Sequence, residues 1–198
     1  MKFENFSIEQ IDTPSRLLQL ARETPEKCLN VSELDRPMTV TQENRLELPP
    51  MGDETRARLE NLGWPKEVLD AIGSEAEAKI YDEANLESAQ VNGKEALIRT
   101  DIDYAQTDDF GKTNLERMEQ GRAPITVDGK KIELHHIGQK SDSALAELTP
   151  AEHRCNGNDN VLHNKLKESE IVREDFDKER QGYWKARVEQ INQTQSKE

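Results

Sequence analysis

Every histidine of this 198-residue chain lies between His135 and His163: the pair His135-His136, then His153, then His163. Imidazole is the commonest side-chain metal ligand, and its ordinary titration falls near neutral pH. Four copies within about a seventh of the length point to one site. Three neutral imidazoles with an open fourth position suit a borderline divalent ion, zinc first, with nickel, cobalt or manganese also accommodated. Magnesium, which prefers oxygen ligands, is less natural. The fourth imidazole is then left as a base. Hydrolysis of a phosphodiester asks for such a set: a base to activate water, a cation on an oxygen, and donors to steady the phosphate.

The elements that must position these residues are legible in part. Asp128-Gly129, between residues 125–127 and residues 130–137, predicts a hairpin that delivers His135 and His136 at a strand end. A short strand over residues 144–148 follows a polar loop. Thr149-Pro150-Ala151-Glu152 combines a capping box with a first-turn proline, so His153 should open a helix. The run Asn156-Gly157-Asn158-Asp159-Asn160 breaks that helix before His163, and a final helix is predicted over residues 169–192.

Upstream, helices are predicted over residues 54–62, 65–72 and from Ser74 onward, with Gly63 and Gly73 as stops. A hairpin is predicted around Asn92-Gly93. Residues 1–53, punctuated by Pro25, Pro37 and Pro49-Pro50, read as a partly ordered leader or linker holding one short helix at 15–22. The domain reading is therefore a leader (1–53), an acidic helical and hairpin segment (54–110) and a catalytic core with its C-terminal helix (111–198).

Composition bounds the partners. One third of the residues are charged and one third apolar, so the core should be local. The net charge of −13 is unusual for a protein that meets phosphate, but residues 1–110 hold 24 of the 40 acidic residues and only 12 of the 27 basic ones. The histidine half is nearly neutral. No apolar run reaches the ~20 residues of a membrane span and the start lacks a secretion signal, so the expectation is a soluble, cytoplasmic chain. Cys28 and Cys155 fit no disulfide or zinc spacing. Arg117, Arg122, Lys165, Lys167 and Arg173 are candidate nucleic-acid contacts, against the plainer reading of salt bridges and a solvated face. Asp101 and Asp103 are either a carboxylate pair for metal or strand-end structure.

The segment Leu134-His135-His136 with Gln139, followed by residues 145–149, His153 and Leu162-His163, resembles the nucleases of the HNH and endonuclease VII superfamily. Its nearest likeness is to the branch named for a Leu-His-His motif, found as the toxic domain of bacterial polymorphic toxins. Residues 111–121, 72–77 and 97–103 also look like this branch, and the resemblance covers roughly 64–198. It implies an α+β fold with a ββα-metal core and flanking helices, and metal-dependent endonuclease activity on DNA.

By similarity to colicin-type HNH nucleases, it assigns His135 to the metal and His136 to water activation. Glu133 becomes a carboxylate positioning a basic group or the phosphate, and His153 and His163 complete the metal shell. A toxin of this kind implies a cognate immunity protein and a delivery module reached through the leader. Three features depart from the pattern. His153 and His163 are ten residues apart rather than one turn, and Cys155 stands where the branch has glycine. The asparagine that orients the base has three candidate counterparts, Gln139, Asn156 and Asn160. An inactive zinc-stabilised binding module, or an RNase of the same fold, are the alternatives.

Overall fold

The computed structural model describes Gln42 and residues 45–195; the helix expected at 15–22 and Cys28 lie outside the described residues. After a single 3-10 turn at Arg45–Glu47 come α1 (Asp53–Asn61), α2 (Lys66–Ala71), α3 (Glu75–Glu83), β1 (Glu87–Val91) and β2 (Lys94–Ile98). The second half adds α4 (Asn114–Glu119), β3 (Glu133–His136), β4 (Leu145–Leu148), α5 (Pro150–Arg154), α6 (Asn158–Leu162) and α7 (Arg173–Gln195). The expected α+β class is found.

The strands make one sheet in the order β1-β2-β4-β3. The Asn92-Gly93 turn, with both residues at positive φ, closes the antiparallel β1–β2 hairpin as its sequence predicts. Asp128-Gly129 does not make the second hairpin. It closes a tight turn with one bridge, Ile125 to Lys131, and β3 pairs instead with β4, across the loop that follows it. Strand β4 also runs parallel to β2, which joins the acidic segment to the histidine segment in one sheet.

Alternation along the strands sorts the core into two layers. Leu97, Ala146 and Leu148 face a cluster with Leu59, Val68, Leu69, Tyr81 and Leu162 from α1, α2, α3 and α6. Ala96, Leu134 and Leu145 face Met118 of α4 and Tyr183, Trp184 and Val188 of α7. On β3 the same period sends His135 to the α6 side and His136 to the α7 side.

One charge crosses this core. Glu147, with no exposed surface, accepts from Tyr183 Oη at 2.8 Å, Arg187 Nε at 2.9 Å and the Arg99 backbone N–H at 2.8 Å, pinning α7 to the sheet. A buried carboxylate is tolerable only with such partners.

The helix starts follow their caps. Thr149 and Glu152 form the full box at α5. At α3 only half of one forms: Ser74 Oγ accepts the Glu77 N–H, while the Glu77 carboxylate is drawn away to the N–H groups of Gly73 and Gly138. The break expected over residues 156–160 is confined to Asn156 and Gly157, both at positive φ, and Asn158 already belongs to α6.

Gly138 lies in the turn after β3, at φ +68°, and a Cβ there would stand 2.3 Å from the Ala71 carbonyl oxygen. Gly138→Ala therefore combines left-handed strain with a backbone clash, and should cost about 2 kcal/mol or more in urea unfolding.

Candidate functional site

The β3–β4 pair, α5 and α6 bring three of the four histidines together. His135 is the last residue but one of β3, His153 sits near the end of α5, and His163 follows α6 in extended conformation. His153 Nε2 lies 3.2 Å from His135 Nδ1 and 3.2 Å from His163 Nε2, and the three ring centroids are 4.9 to 5.1 Å apart. One nitrogen from each ring falls within 4.8 Å of the others, the only such His/Cys/Asp/Glu group among the described residues.

The far sides of the rings fix which nitrogens carry hydrogen. Glu133 Oε2 takes a bond from His153 Nδ1 at 2.6 Å, and the Asp159 carbonyl and carboxylate oxygens face His163 Nδ1 at 3.1 and 3.2 Å. Those Nδ1 atoms are donors, so each Nε2 presents a lone pair inward. His135 Nδ1 faces the same point, while its buried Nε2 has no hydrogen-bond partner. Three ring nitrogens converging on one point, those of His153 and His163 with their lone pairs turned inward, are an arrangement a borderline cation satisfies, and the donor set fits zinc-like ions.

The electrostatics agree. Burial, reinforced by the neighbouring imidazoles, holds His135 well below its ordinary value, and burial also lowers His153 despite Glu133. Glu133 is raised by burial, but its bonds from His153 and Arg154 prevail and leave it below the usual carboxylate range. Asp159 is likewise held low: burial opposes ionisation, and His163 and Lys165 outweigh it.

His136 stands beside the triad on the opposite face of β3. Its Nε2 is 2.9 Å from Glu179 Oε2 of α7, its ring packs on Phe176, and Lys94 Nζ holds the other Glu179 oxygen at 2.5 Å. Accepting at Nε2, Glu179 leaves Nδ1 as the basic nitrogen. Burial lowers the affinity of His136 for protons against the opposing pull of Glu179. An open cleft of about 600 Å³ is lined by His135, His136, His153, His163 and Gln139, and by Arg154, Arg173 and Arg180.

The remaining expectations are distributed as follows. Gln139 Oε1 accepts the Asn164 N–H at 2.6 Å, and Asn160 Oδ1 accepts from Gln42, so their amides brace loops; the bond to His136 comes from Glu179. Glu133 takes Arg154 Nε and Nη2 at 2.9 and 2.5 Å, the basic group it was expected to position. Arg117 is buried between Asp108 and the Ala123 carbonyl, while Arg122, half-exposed, reaches the same aspartate only at 3.8 Å. Lys165 pairs with Asp159 and Lys167 with Glu170. Asp101 pairs with Arg99, Asp103 caps Ala105, and Cys155 Sγ turns to the Pro150 carbonyl. Sequence reasoning passed over Glu179, Lys94, Arg154 and Asp159. The four-residue spacing from Asp159 to His163 was the one available signal.

Neutral imidazoles in the fold and protonatable ones in the unfolded chain make stability pH-dependent. Because His135 and His153 lie below 6.5 when folded, the unfolded state gains protons first as pH falls, and stability declines below about pH 6.5. With EDTA present, the urea midpoint should be lower at pH 5.5 than at 7.5, and His135→Gln should reduce the difference.

Among the described residues no helix is long and apolar enough to cross a membrane. No solved structure matches the chain. Residues 113–190 match the family model described as LHH, a nuclease of the HNH/ENDO VII superfamily with conserved LHH, a span narrower than the 64–198 over which the sequence resembles this branch. That span holds the Leu134-His135-His136 motif, both later histidines and Glu179. From Thr113 to Gln190 this chain carries an LHH-type nuclease domain of the HNH/endonuclease VII superfamily.

Proposed function

We propose that the protein is a metal-dependent endonuclease that hydrolyses DNA without sequence preference. The observation that carries the reading is the convergence of three imidazole nitrogens, from His135, His153 and His163, next to a fourth imidazole whose orientation is set by a carboxylate. A bound divalent ion would supply Lewis-acid stabilisation of the charge that develops on phosphate oxygens. The chain's own residues do the rest. Glu179, steadied by Lys94, presents His136 Nδ1 to take a proton from the attacking water. Glu133 orients both His153 and Arg154, and places the guanidinium on the rim of the cleft, where a phosphate would lie.

The substrate path follows from the cleft's continuation. A second depression, lined by Arg122 and Lys131, shares Leu134, His153, Arg154, Phe176 and Arg180 with the first, so cations flank the histidines on both sides. Cations lining such a groove suit a phosphate backbone, a contact that carries no sequence information, which supports sequence-independent cutting. Resemblance to polymorphic-toxin domains supports an antibacterial role, with a cognate immunity protein and delivery through the residues that precede the domain.

Purified full-length protein should nick supercoiled plasmid with zinc, nickel, manganese or magnesium, and lose this with EDTA. His136→Ala should slow nicking by about a hundredfold or more, the usual contribution of a general base. Metal retained without turnover would establish the binding-module alternative, and faster cleavage of tRNA than plasmid the RNase one. Lys131→Ala with Arg173→Ala should weaken duplex binding and flatten its salt dependence by about 0.9 for each phosphate no longer neutralised.

A further inference from the structure

The third histidine of the triad has the weakest support from packing. His135 and His153 are buried, whereas the His163 side chain is 28% exposed and follows the end of α6 in extended conformation, φ −121° and ψ 117°. Asp159 holds its ring at Nδ1, and the backbone on either side is held as well. Gln42 Nε2 donates to the His163 carbonyl at 2.9 Å and to Asn160 Oδ1 at 3.2 Å, while Gln42 Oε1 accepts the Lys165 N–H at 2.9 Å. A primary amide thereby pairs with a C=O and an N–H two residues apart, as a neighbouring strand would. Between them, the Asn164 N–H is taken by Gln139 Oε1, and Arg45 Nη2 donates to the Val161 carbonyl at 3.0 Å.

We infer that Gln42, which lies far upstream of the matched nuclease segment, is a positioning residue of the metal centre, its side-chain amide setting where His163 presents its nitrogen. The inference rests on the metal-dependent reading above. Its physical basis is tolerance: ligand distances must hold within about 0.2 Å, and an imidazole whose backbone is tied at the N–H but left free at the carbonyl is not held that closely. Apart from Gln42, the Asp159 carbonyl takes the His163 N–H at 3.0 Å and Gln139 takes the Asn164 N–H. Gln42 ties the carbonyl of the ligand residue itself and closes the segment against α6 through Asn160. The nuclease centre therefore includes residues well before the family domain, and Gln42 acts through His163 without touching substrate.

The test is titration of the full chain with Co²⁺, whose visible bands report both occupancy and ligand geometry. Wild type should develop the bands of a site with few ligands, and His163→Ala should lose or reshape them. Gln42→Ala should bind Co²⁺ about ten- to a hundredfold more weakly, with altered bands, while the metal-free protein keeps its circular dichroism and thermal midpoint. Gln42→Glu retains the acceptor for Lys165 but loses both donors. It turns a carboxylate oxygen toward two acceptors, so it should bind Co²⁺ at least as weakly as the alanine variant, and it carries the same test if that variant fails to fold.

Binding within about threefold of wild type, with unchanged bands, overturns the inference, since removing a supporting hydrogen bond costs more than that. So does a loss of affinity that follows unfolding of the metal-free protein in both variants. A folded wild-type protein that binds no Co²⁺ fails differently, because it removes the metal reading itself. An unaffected Gln42→Ala beside a defective His163→Ala removes the positioning role alone.

Discussion

Three imidazoles gathered on one point, His153 Nε2 lying 3.2 Å from a nitrogen of each of the other two and the rings largely out of water, form an arrangement that no local preference would select. The inward lone pairs of His153 and His163 repel at that distance, and burial disfavours relief by protonating His153. The rest of the fold must hold them there until a cation reverses the sign of the interaction. Each ring is restrained from behind. Glu133 grips His153, Asp159 grips His163, and His135 is fixed by the β3–β4 ladder with Tyr81 packed beside it. These restraints have restraints of their own. Arg154 neutralises Glu133, Lys165 neutralises Asp159, and Glu77 reaches from α3 to the Gly138 N–H to shape the turn beyond the histidine pair.

The strand period divides the chemistry as it divides the core. Adjacent residues His135 and His136 must point to opposite sides of β3, so one joins the histidine cluster and the other meets α7. A long helix pinned by a buried carboxylate is then what His136 needs as a partner, because Glu179 can orient an imidazole only as well as α7 itself is held. Glu147, with its bonds from Tyr183 and Arg187, supplies that hold. The acidic total of the chain does not oppose phosphate binding at this place: the carboxylates near the cleft, Glu133, Asp159, Asp177 and Glu179, are each tied to a cation or an imidazole.

Legibility in the sequence followed the range of the interaction. The Asn92-Gly93 turn, the Thr149–Glu152 cap and the clustering of histidines were readable because each depends on a few consecutive residues. The partner of β3 was not. Asp128-Gly129 has the chemistry of a hairpin turn, and only the tertiary competition between residues 125–127 and β4 decides that the latter wins. The ten-residue gap between His153 and His163 looked irreconcilable with a single helix, and is reconciled by breaking it in two at Asn156 and Gly157. Glu179 and Gln42 were invisible for a different reason. Each is one of many similar residues on its segment, and its role exists only through a neighbour some 40 or 120 positions away.

The parallel pairing of β2 with β4 joins positions about 50 residues apart, and the α7 clamp on Glu147 joins positions about 40 apart. Contacts of this span form late, after the entropy of closing long loops has been met. Topology of this kind favours local helices and the first hairpin forming ahead of the sheet, and the sheet ahead of the histidine cluster. A chain still emerging from the ribosome with α7 incomplete lacks both the orienting carboxylate and the anchor of the helix that bears it. The carboxylate that meets His136 thus comes into place only once α7 has docked on Glu147, so the setting of that imidazole is among the last features of the fold to form.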